Sequence, residues 1–387
     1  MKFSVPTNWQ DDLIEKMPKK DVVQLFGKLN NDFTGGGRLS VAVPFVRRRK
    51  VAAHIVQMHK CGLKFNYVIN GSCLNNFEWT RRGQKEIRKL LSWLVEIGTD
   101  SVTVTIPYLA ELIKKFYPSL RIDVSSFAEV DTVCRAKRWE DLGVDVITLA
   151  SHKINRDFDL LKAIRKNTIC GLQLIANNWC LDGCIHFAYH ANLSTHASQN
   201  LNNSRYLVLD KCRLLCDFLR LRSMEKIISS SWIRPEDVAI YEEIGVDRIK
   251  LVDRQMATEA ICNIVKAYTN GHYVGNFYDL LPGPSKNINH RGLNIFKKIP
   301  FLIRNINLLP MLFRIRKLAK PEKIFIDNQA LDGFLNFFLE GRCTGFCKEC
   351  GYCRRIAEKA IRISPVYYKY FMDIYEKEFK DIVPLPM

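Results

Sequence analysis

The sequence has no long hydrophobic run. None of its apolar stretches approaches the roughly 18 residues that a membrane span requires. The first residues, Met1–Pro6, lack the apolar core and cleavage site of a secretory signal. Apolar residues make up 47% of the 387-residue chain and charged residues 25%, which excludes a disordered tail, a collagenous repeat and a disulfide-stapled miniprotein. We therefore expect a globular, cytoplasmic protein with a sizeable core.

Several catalytic motifs are also missing. The chain contains neither a His-Glu-x-x-His zinc-protease motif nor a Gly-x-Ser-x-Gly nucleophile elbow. No glycine-rich nucleotide fingerprint follows the first predicted strand. Hydrolysis by a standard serine or zinc mechanism therefore has no visible machinery in the sequence.

Acidic residues are scarce relative to basic ones. There are 58 Lys and Arg against 40 Asp and Glu, a net charge of +18. This excess favours an anionic target, either RNA, an acidic metabolite or a lipid-borne substrate. Lys286–Lys323 alone has ten Lys or Arg and one acid, interleaved with apolar residues. Such a segment predicts a surface for anionic lipid, nucleic acid or an acidic partner, or a helical hairpin packed on the rest of the fold.

Short β-branched runs alternate with amphipathic helical patterns over most of the chain. Eight strands with interleaved helices predict an α/β fold, a TIM-like (β/α)8 barrel with a cysteine-rich C-terminal extension, and a doubly wound open sheet is the competing architecture. The predicted regions are an N-terminal segment 1–38, the barrel 39–275, the basic segment 276–323 and the cysteine-rich region 324–387. The predicted strands are Leu39–Phe45, Phe65–Asn70, Ser101–Ile106, Leu120–Ser125, Val144–Leu149, Gly171–Ala176, Lys226–Ser230 and Asp247–Val252.

Thirteen cysteines are more than a cytoplasmic chain uses in disulfides, and their spacing indicates metal binding. Four thiols within eleven residues of the tail match an iron–sulfur cluster or a tetrahedral zinc site. Two Cys-x3-Cys pairs lie further upstream, and together they predict a four-sulfur site at the barrel mouth. The tail thiols are Cys343, Cys347, Cys350 and Cys353; the upstream thiols are Cys180, Cys184, Cys212 and Cys216.

The sequence resembles the U32 collagenase-like peptidase family over roughly residues 25–275 and 324–362. The segment 178–192, which contains Cys180 and Cys184, is similar to the cysteine motif of that family. The further segments that carry the resemblance are Gly35–Arg38, Asn70–Leu74, Asn155–Phe158, Trp232–Asp237 and Asp327–Phe334.

The resemblance implies a barrel-like catalytic domain and a 4Fe–4S cluster, whose ligands fall on Cys180, Cys184, Cys212 and Cys216. The tail thiols would hold a second centre, with zinc as the alternative there. Relatives in this family carry out oxygen-independent hydroxylation of a quinone precursor or of RNA bases, and prephenate serves some of them as the oxygen source. An unidentified electron donor or acceptor and a paralogous subunit in a heterodimer are the implied partners.

Six side chains at loop positions complete the predicted site. Planar guanidinium groups bind carboxylates at two points, so three arginines are candidate clamps for an anionic substrate. Three further side chains are candidates for orienting the acceptor. The clamps are Arg156, Arg234 and Arg254, and the orienting residues are Asn70, His190 and His196.

Three functions stay open at this point. The first is an iron–sulfur enzyme for oxygen-independent hydroxylation or a related redox modification. The second is a peptidase, as the family label says. The third is a non-catalytic RNA- or membrane-binding protein that uses the basic segment, with a purely structural metal.

Overall fold

The computed structural model describes residues 1–30, 32–38, 43–200, 210–282 and 324–379. Within them, eight parallel strands form a closed barrel in which β1 also pairs with β8, with Lys2 opposite Arg248. This confirms the predicted TIM-like barrel and excludes the open sheet. The barrel strands are β1 Lys2–Pro6, β2 Val22–Gly27, β3 Lys64–Ile69, β4 Ser101–Val104, β5 Arg121–Val124, β6 Val146–Thr148, β7 Gly171–Ile175 and β8 Arg248–Lys250.

Helices surround the barrel, and most of them bury one apolar face against the strands, as Ile87, Leu91 and Leu94 do in the third helix. The helices are α1 Leu13–Lys16, α2 Arg48–Lys60, α3 Arg81–Glu96, α4 Pro107–Phe116, α5 Val133–Asp141, α6 Ser151–Ile154, α7 Phe158–Asn167, α8 Phe187–Ser198, α9 Lys211–Arg222, α10 Glu225–Ile228, α11 Val238–Ile244 and α12 Thr258–Asn270. Short 3-10 helices lie at Phe77–Trp79, Ser126–Ala128, Pro235–Asp237, Phe277–Leu280 and Gln329–Leu331.

The tail adds a two-stranded antiparallel sheet and four helices to the described part of the chain. Its helix Tyr352–Ala360 packs on α10, and the ring of Tyr352 stacks on Phe337 at 4.0 Å. The tail is therefore packed against the barrel. Its elements are β9 Ile324–Ile326, α13 Asn336–Leu339, α14 Cys347–Cys350, α15 Tyr352–Ala360, β10 Ile361–Ile363 and α16 Pro365–Glu378.

Two of the eight predicted strands are wrong. The barrel begins with β1 and β2, inside the region assigned to an N-terminal segment, so the predicted boundary at Leu39 is wrong as well. Residues 43–45 are not a strand, and 39–42 lie outside the described residues. Lys226–Ser230 overlaps the helix α10, because a short apolar run such as Ile227-Ile228 is compatible with either periodicity. The other six predicted strands are confirmed within a few residues at each end.

The barrel interior is polar near its centre. Arg248 and Asp123 form an ion pair at 3.1 Å, and Asn66 donates a hydrogen bond to Ser101 Oγ at 2.7 Å. Side chains two residues further along a strand point the same way, which directs Lys250 toward the C-terminal mouth above Arg248. In a barrel of this type the mouth is where functional groups converge.

No helix in the described ranges has the length and apolar character needed to cross a bilayer. The basic stretch Lys286–Lys323, on which the surface-binding prediction rests, lies outside the described residues, as does most of the region 276–323.

Candidate active site at the barrel mouth

The four upstream cysteines occupy one neighbourhood. Cys180 and Cys184 lie in the loop after β7, and Cys212 and Cys216 lie one turn apart on α9. The side chains of Cys184 and Cys216 interact directly. Cys180 is within electrostatic range of Cys184 and Cys216, and Cys212 is within range of Cys184. We call these four residues the mouth quartet.

The thiols of the mouth quartet differ in acidity. Interaction with Cys216 lowers the pKa of Cys184 to about 6, with a further contribution from the backbone at His186. The same contact raises the pKa of Cys216, because that thiol keeps the shared proton. Burial raises the pKa of Cys180 and raises that of Cys212 to about 11. The quartet therefore contains one acidic thiol, that of Cys184, and three thiols that keep their protons.

The chemistry of these donors suits a thiolate-bound metal or iron–sulfur centre. Four sulfurs are present, and Arg220 and Arg38 lie near enough to Cys180 to offset their negative charge. The guanidinium of Arg220 is fixed 4.1 Å over the ring of Trp179 and pairs with Asp217 at 3.1 Å. Over the described ranges, however, no three ligand side chains are arranged to hold a metal ion. The donor set fits such a centre in composition, and loading would have to draw the thiols closer together.

Four cationic side chains form a second feature of the mouth, which we call the cation crown: Lys28, Arg38, Lys250 and Arg254. Lys28 donates hydrogen bonds to Asp32 Oδ1 and Thr34 Oγ1 at 3.0 and 3.2 Å. Arg38 forms an ion pair with Asp253 at 2.9 Å. Because Arg38 is also in range of Cys180, it links the crown to the mouth quartet.

The other two cations of the crown have no such partners. Arg254 and Lys250 are each only 8% exposed, and neither donates a hydrogen bond or forms an ion pair with a described residue. The ammonium of Lys250 lies 4.1 Å from the ring centroid of Phe26. Burial lowers the pKa of Lys250 to about 8 and that of Arg254 to about 10, and the neighbouring Arg38 contributes to both shifts. Asp123 attracts Lys250 and Asp253 attracts Arg254 without forming ion pairs with them, and a bound anion would add a direct counter-charge.

Asn70 lies beside the crown, directly after β3. Its Nδ2 donates to Ser125 Oγ at 3.3 Å, while its Oδ1 is buried without a partner. The glycine loop after β2 packs against it, since a Cβ at Gly36 would come within 2.9 Å of that Oδ1. At Gly71 an added Cβ would come within 2.0 Å of the carbonyl oxygen of Thr34. Because Gly36 and Gly71 have no side chains, the loops after β2 and β3 can pack directly against each other.

The two predicted histidines lie on α8 and have protein partners. His190 Nε2 is 3.1 Å from Asp210 Oδ1, and it is in electrostatic range of Cys184. His196 Nδ1 lies 3.2 Å from Gln199 Oε1. Asp210 also caps α9 by accepting a hydrogen bond from the backbone of Arg213 at 3.0 Å. His190 therefore lies near the mouth quartet. His196 lies on the last turn of α8, which contacts the glycine loop after β2.

Two predicted clamps lie elsewhere. Arg234 is bidentate to Asp237 at 2.9 and 3.0 Å and donates to both Asn328 O and Asp332 Oδ1 at 2.9 Å. Four of its five N–H donors are used by the protein itself, so Arg234 fastens the tail to the barrel and cannot clamp a substrate carboxylate at two points. Arg156 is enclosed by aromatic rings beside Cys353 of the tail. Of the three arginines, Arg254 alone belongs to the crown.

The chain has relatives among known proteins. No family profile matches it. It is 31% identical over 351 residues to the uncharacterized protease MJ1657 of Methanocaldococcus jannaschii, and the match covers 90% of this chain and 92% of that protein. The structure of the U32 peptidase Mk0906 shares the fold, with a TM-score of 0.50 at 21% identity over 65% of this chain and 93% of that one.

The chain belongs to the U32 peptidase family.

In this U32 family member, sequence reasoning missed Lys28, Asp32, Arg38 and Lys250. Lys28 and Asp32 follow β2, a strand that the sequence reading placed outside the barrel. Lys250 is the last residue of β8, so this buried strand ends with a cationic side chain. A basic residue at the carboxyl end of a barrel strand is the signal that could have found it.

Proposed function

We propose that this U32 family protein is an iron–sulfur-dependent enzyme that modifies an anionic substrate, an RNA base or a small metabolite, by oxygen-independent hydroxylation or a related redox reaction. The observation that carries the proposal is the position of the mouth quartet beside a cation crown in which Lys250 and Arg254 have no hydrogen-bond or ion-pair partner among the described residues. The fold adds support, because both features lie at the carboxyl end of the barrel.

The crown favours a substrate or co-substrate that carries carboxylate or phosphate groups. A guanidinium offers two parallel N–H donors to such a group, and an ammonium acts as a point charge. Arg254 and Lys250 would therefore receive two anionic groups or two edges of one. Prephenate, the oxygen donor that the family resemblance implies, is a dicarboxylate and matches this charge. Asn70 offers its unpartnered Oδ1 to a hydroxyl or amino group of the bound molecule.

In the proposed enzyme the mouth quartet holds a 4Fe–4S cluster, which would accept or supply single electrons. Arg38 and Arg220 offset the negative charge of the thiolates, and Arg38 is in addition one of the four residues of the crown. The protein's own contribution is to hold an anion next to this charge and to exclude water around it.

The first experiment is purification without air, followed by iron and sulfide counts per chain and titration with prephenate. We expect about four irons and four sulfides at the mouth quartet, on cubane stoichiometry, and their loss in Cys212→Ser. Arg254→Gln and Lys250→Met should weaken prephenate binding by roughly tenfold each while the iron count is unchanged. Lys60→Met, an exposed lysine on α2, is the matched control. A Cys212→Ser protein with the wild-type iron content would overturn the proposal.

Peptidase activity is the second candidate, because one arrangement in the site favours it. Cys184 lies in electrostatic range of His190, and Asp210 holds His190 at 3.1 Å. A thiol, an imidazole and an orienting carboxylate in this order are the elements of a cysteine nucleophile. The names of the relatives, protease and U32 peptidase, agree with this reading.

Two variants separate the candidates. His190→Gln removes the base of a cysteine peptidase and leaves the four sulfurs in place, whereas Cys212→Ser removes one cluster ligand and leaves Cys184, His190 and Asp210. An iron–sulfur enzyme loses its iron in Cys212→Ser and keeps it in His190→Gln. A peptidase loses peptide cleavage in His190→Gln and keeps it in Cys212→Ser. Activity should be followed on a denatured collagen-type peptide mixture and on prephenate side by side.

The remaining expectations stay predictions. Binding of RNA, lipid or protein through 286–323 concerns residues outside the described ranges, and salt-dependent binding to RNA and to anionic vesicles tests it. The electron partner, the paralogous subunit and the cytoplasmic location likewise rest on the sequence.

A further inference from the structure

We propose that the tail cysteines form a second, outer metal centre whose sulfur ligands receive hydrogen bonds from the buried guanidinium of Arg156. The centre would take a soft metal with thiolate ligands, either an iron–sulfur cluster or zinc. We call Cys343, Cys347, Cys350 and Cys353 the tail quartet. The inference does not depend on the proposed reaction, since it concerns different sulfurs.

Arg156 is a buried cation with unused donors. Its guanidinium carbon lies 4.6 Å from the ring centroid of Trp232, 4.8 Å from that of Phe334 and 5.2 Å from that of Phe338. One nitrogen, Nη1, donates to Ile228 O at 2.6 Å. Its Nε and Nη2 are buried and have no hydrogen-bond partner among the described residues. An arginine held this firmly, with two buried N–H groups unmatched in the described part of the chain, can donate to an acceptor that ligand binding brings within reach.

The tail quartet supplies that acceptor. Cys353 is in electrostatic range of Arg156 and of the other three tail thiols. Metal binding deprotonates thiols, and a metal-bound thiolate accepts N–H···S hydrogen bonds. A guanidinium fixed by aromatic faces can make such bonds without losing rotamer freedom. Arg156 would therefore both neutralise and orient the Cys353 side of the centre.

Over the described ranges no three ligand side chains are arranged to hold a metal ion, so binding would have to draw the four tail sulfurs together, and glycines flank the turn that carries them. Gly345 and Gly351 have φ of +79° and +61°, so the chain turns sharply before and after α14. An open space lies around Gly345, where an added Cβ would meet nothing within 4 Å. Tyr352, between two of the thiols, is fixed by stacking on Phe337. The turn is thus anchored at Tyr352 and has open space at Gly345.

The tail quartet lies on the outer side of the loop that contains half of the mouth quartet. Cys347 and Arg156 are both in electrostatic range of Asp182, which stands between Cys180 and Cys184. Cys343 and Cys347 are exposed, whereas Cys212 is buried. The proposed outer centre is therefore the one that solvent and external reagents reach first.

The test measures metal and sulfide in the full chain, purified without air, for three proteins. Cys347→Ser/Cys353→Ser should lose one metal complement and keep that of the mouth quartet, and Cys212→Ser/Cys216→Ser should do the reverse. Four irons with four sulfides in the tail identify a cluster, and a single zinc without sulfide identifies a zinc site. A tail variant with the wild-type metal content overturns the proposal. If only the mouth variant keeps all its metal, the proposed function fails and this inference stands.

The role of Arg156 is tested by release of metal to a chelator. Arg156→Met fills the aromatic cage but offers no N–H group, and it should speed release from the tail centre by roughly 10–100-fold with the mouth centre unchanged. Arg156→Lys, which keeps one charged donor, should lie between it and the wild type. Arg138→Met, an exposed residue of α5, is the control. Circular dichroism verifies folding of each variant. Equal release rates in Arg156→Met and the wild type contradict the assigned role.

Discussion

Arg254 lies close enough to Lys250 to lower the pKa of its ammonium group, although burial is the larger cause. The two cations share the barrel mouth, and neither has an acidic partner within hydrogen-bond reach among the described residues. Like charges placed together in a low-dielectric site repel each other and cost stability. Asp123 near Lys250 and Asp253 near Arg254 supply part of the counter-charge, and a bound anion would reduce the remaining repulsion.

The first prediction concerns the pH dependence of stability. The pKa of Lys250 in the folded protein is about 8, below its ordinary value of 10.5, so the unfolded chain binds a proton that the folded one releases between those pH values. The free energy of unfolding should therefore rise with pH across this window, by on the order of 3 kcal/mol in total. Urea unfolding between pH 7 and pH 10.5 measures this rise.

Lys250→Met supplies the comparison. Without the ammonium, the protein should be more stable than the wild type below pH 8, and its stability should rise less with pH. Lys60→Met should follow the wild-type curve. If Lys250→Met kept the full wild-type rise, Lys250 would not be the buried cation responsible.

A second prediction concerns the contact between the loops after β2 and β3. An alanine at Gly71 would place its Cβ 2.0 Å from Thr34 O, which is a backbone atom and cannot move without shifting the glycine loop. Gly71→Ala should lower the free energy of unfolding by about 1–3 kcal/mol and disturb anion binding at the crown. At Gly62, where φ is +72° and no atom lies within 4 Å of an added Cβ, alanine should cost about 1 kcal/mol and leave binding unchanged. Urea midpoints and prephenate titration report both effects.

A third prediction follows from the use of Arg234 as a fastener. Its removal leaves Asp237 buried and without its bidentate partner, so Arg234→Gln should cost about 3–5 kcal/mol. Asp332 is 73% exposed, and Asp332→Asn should cost less than about 1 kcal/mol. Thermal unfolding measures both. A substrate clamp at Arg234 would instead show a normal melting temperature and a loss of binding.

A fourth prediction separates the two roles of Asp210. Asp210→Ala removes the cap of α9 and the partner of His190, and it should lower the free energy of unfolding by about 1–2 kcal/mol. Asp210→Asn keeps an oxygen for the cap and should recover most of that loss. Denaturant unfolding of both variants is the measurement. Equal losses in the two would show that the charge, and not the cap, stabilises α9.

Much of the fold could be predicted from the sequence, because six strands are short buried runs that end in turn residues and are followed by amphipathic helices. The first two strands could not, since β1 and β2 are separated by a single short helix and carry polar residues such as Gln24 that face the barrel interior. Their hydrophobic pattern is neither alternating nor uniformly apolar. They are recognised as strands only from the closed barrel, in which β1 pairs with β8.

The site was predicted unevenly for a similar reason. Spacing placed Cys212 and Cys216 on one face of a helix, and the family resemblance indicated all four residues of the mouth quartet, of which Cys180 and Cys184 lie in a loop. It could not show that Arg234 is used up by Asp237 and Asp332, because those contacts join segments far apart in the chain. Nor could it show that Lys250 has no ion-pair partner among the described residues, because that depends on every segment packed around it.

The pairing of β1 with β8 has a consequence for how the protein matures. Lys250 of β8 pairs in register with Ser4 of β1, so the last strand of the barrel is held by the first. The nascent chain must keep its first strand available until the eighth has been made, and such non-local pairing is slow. The anion-binding mouth is therefore finished only at the end of folding, and a partly synthesised chain has no competent pocket.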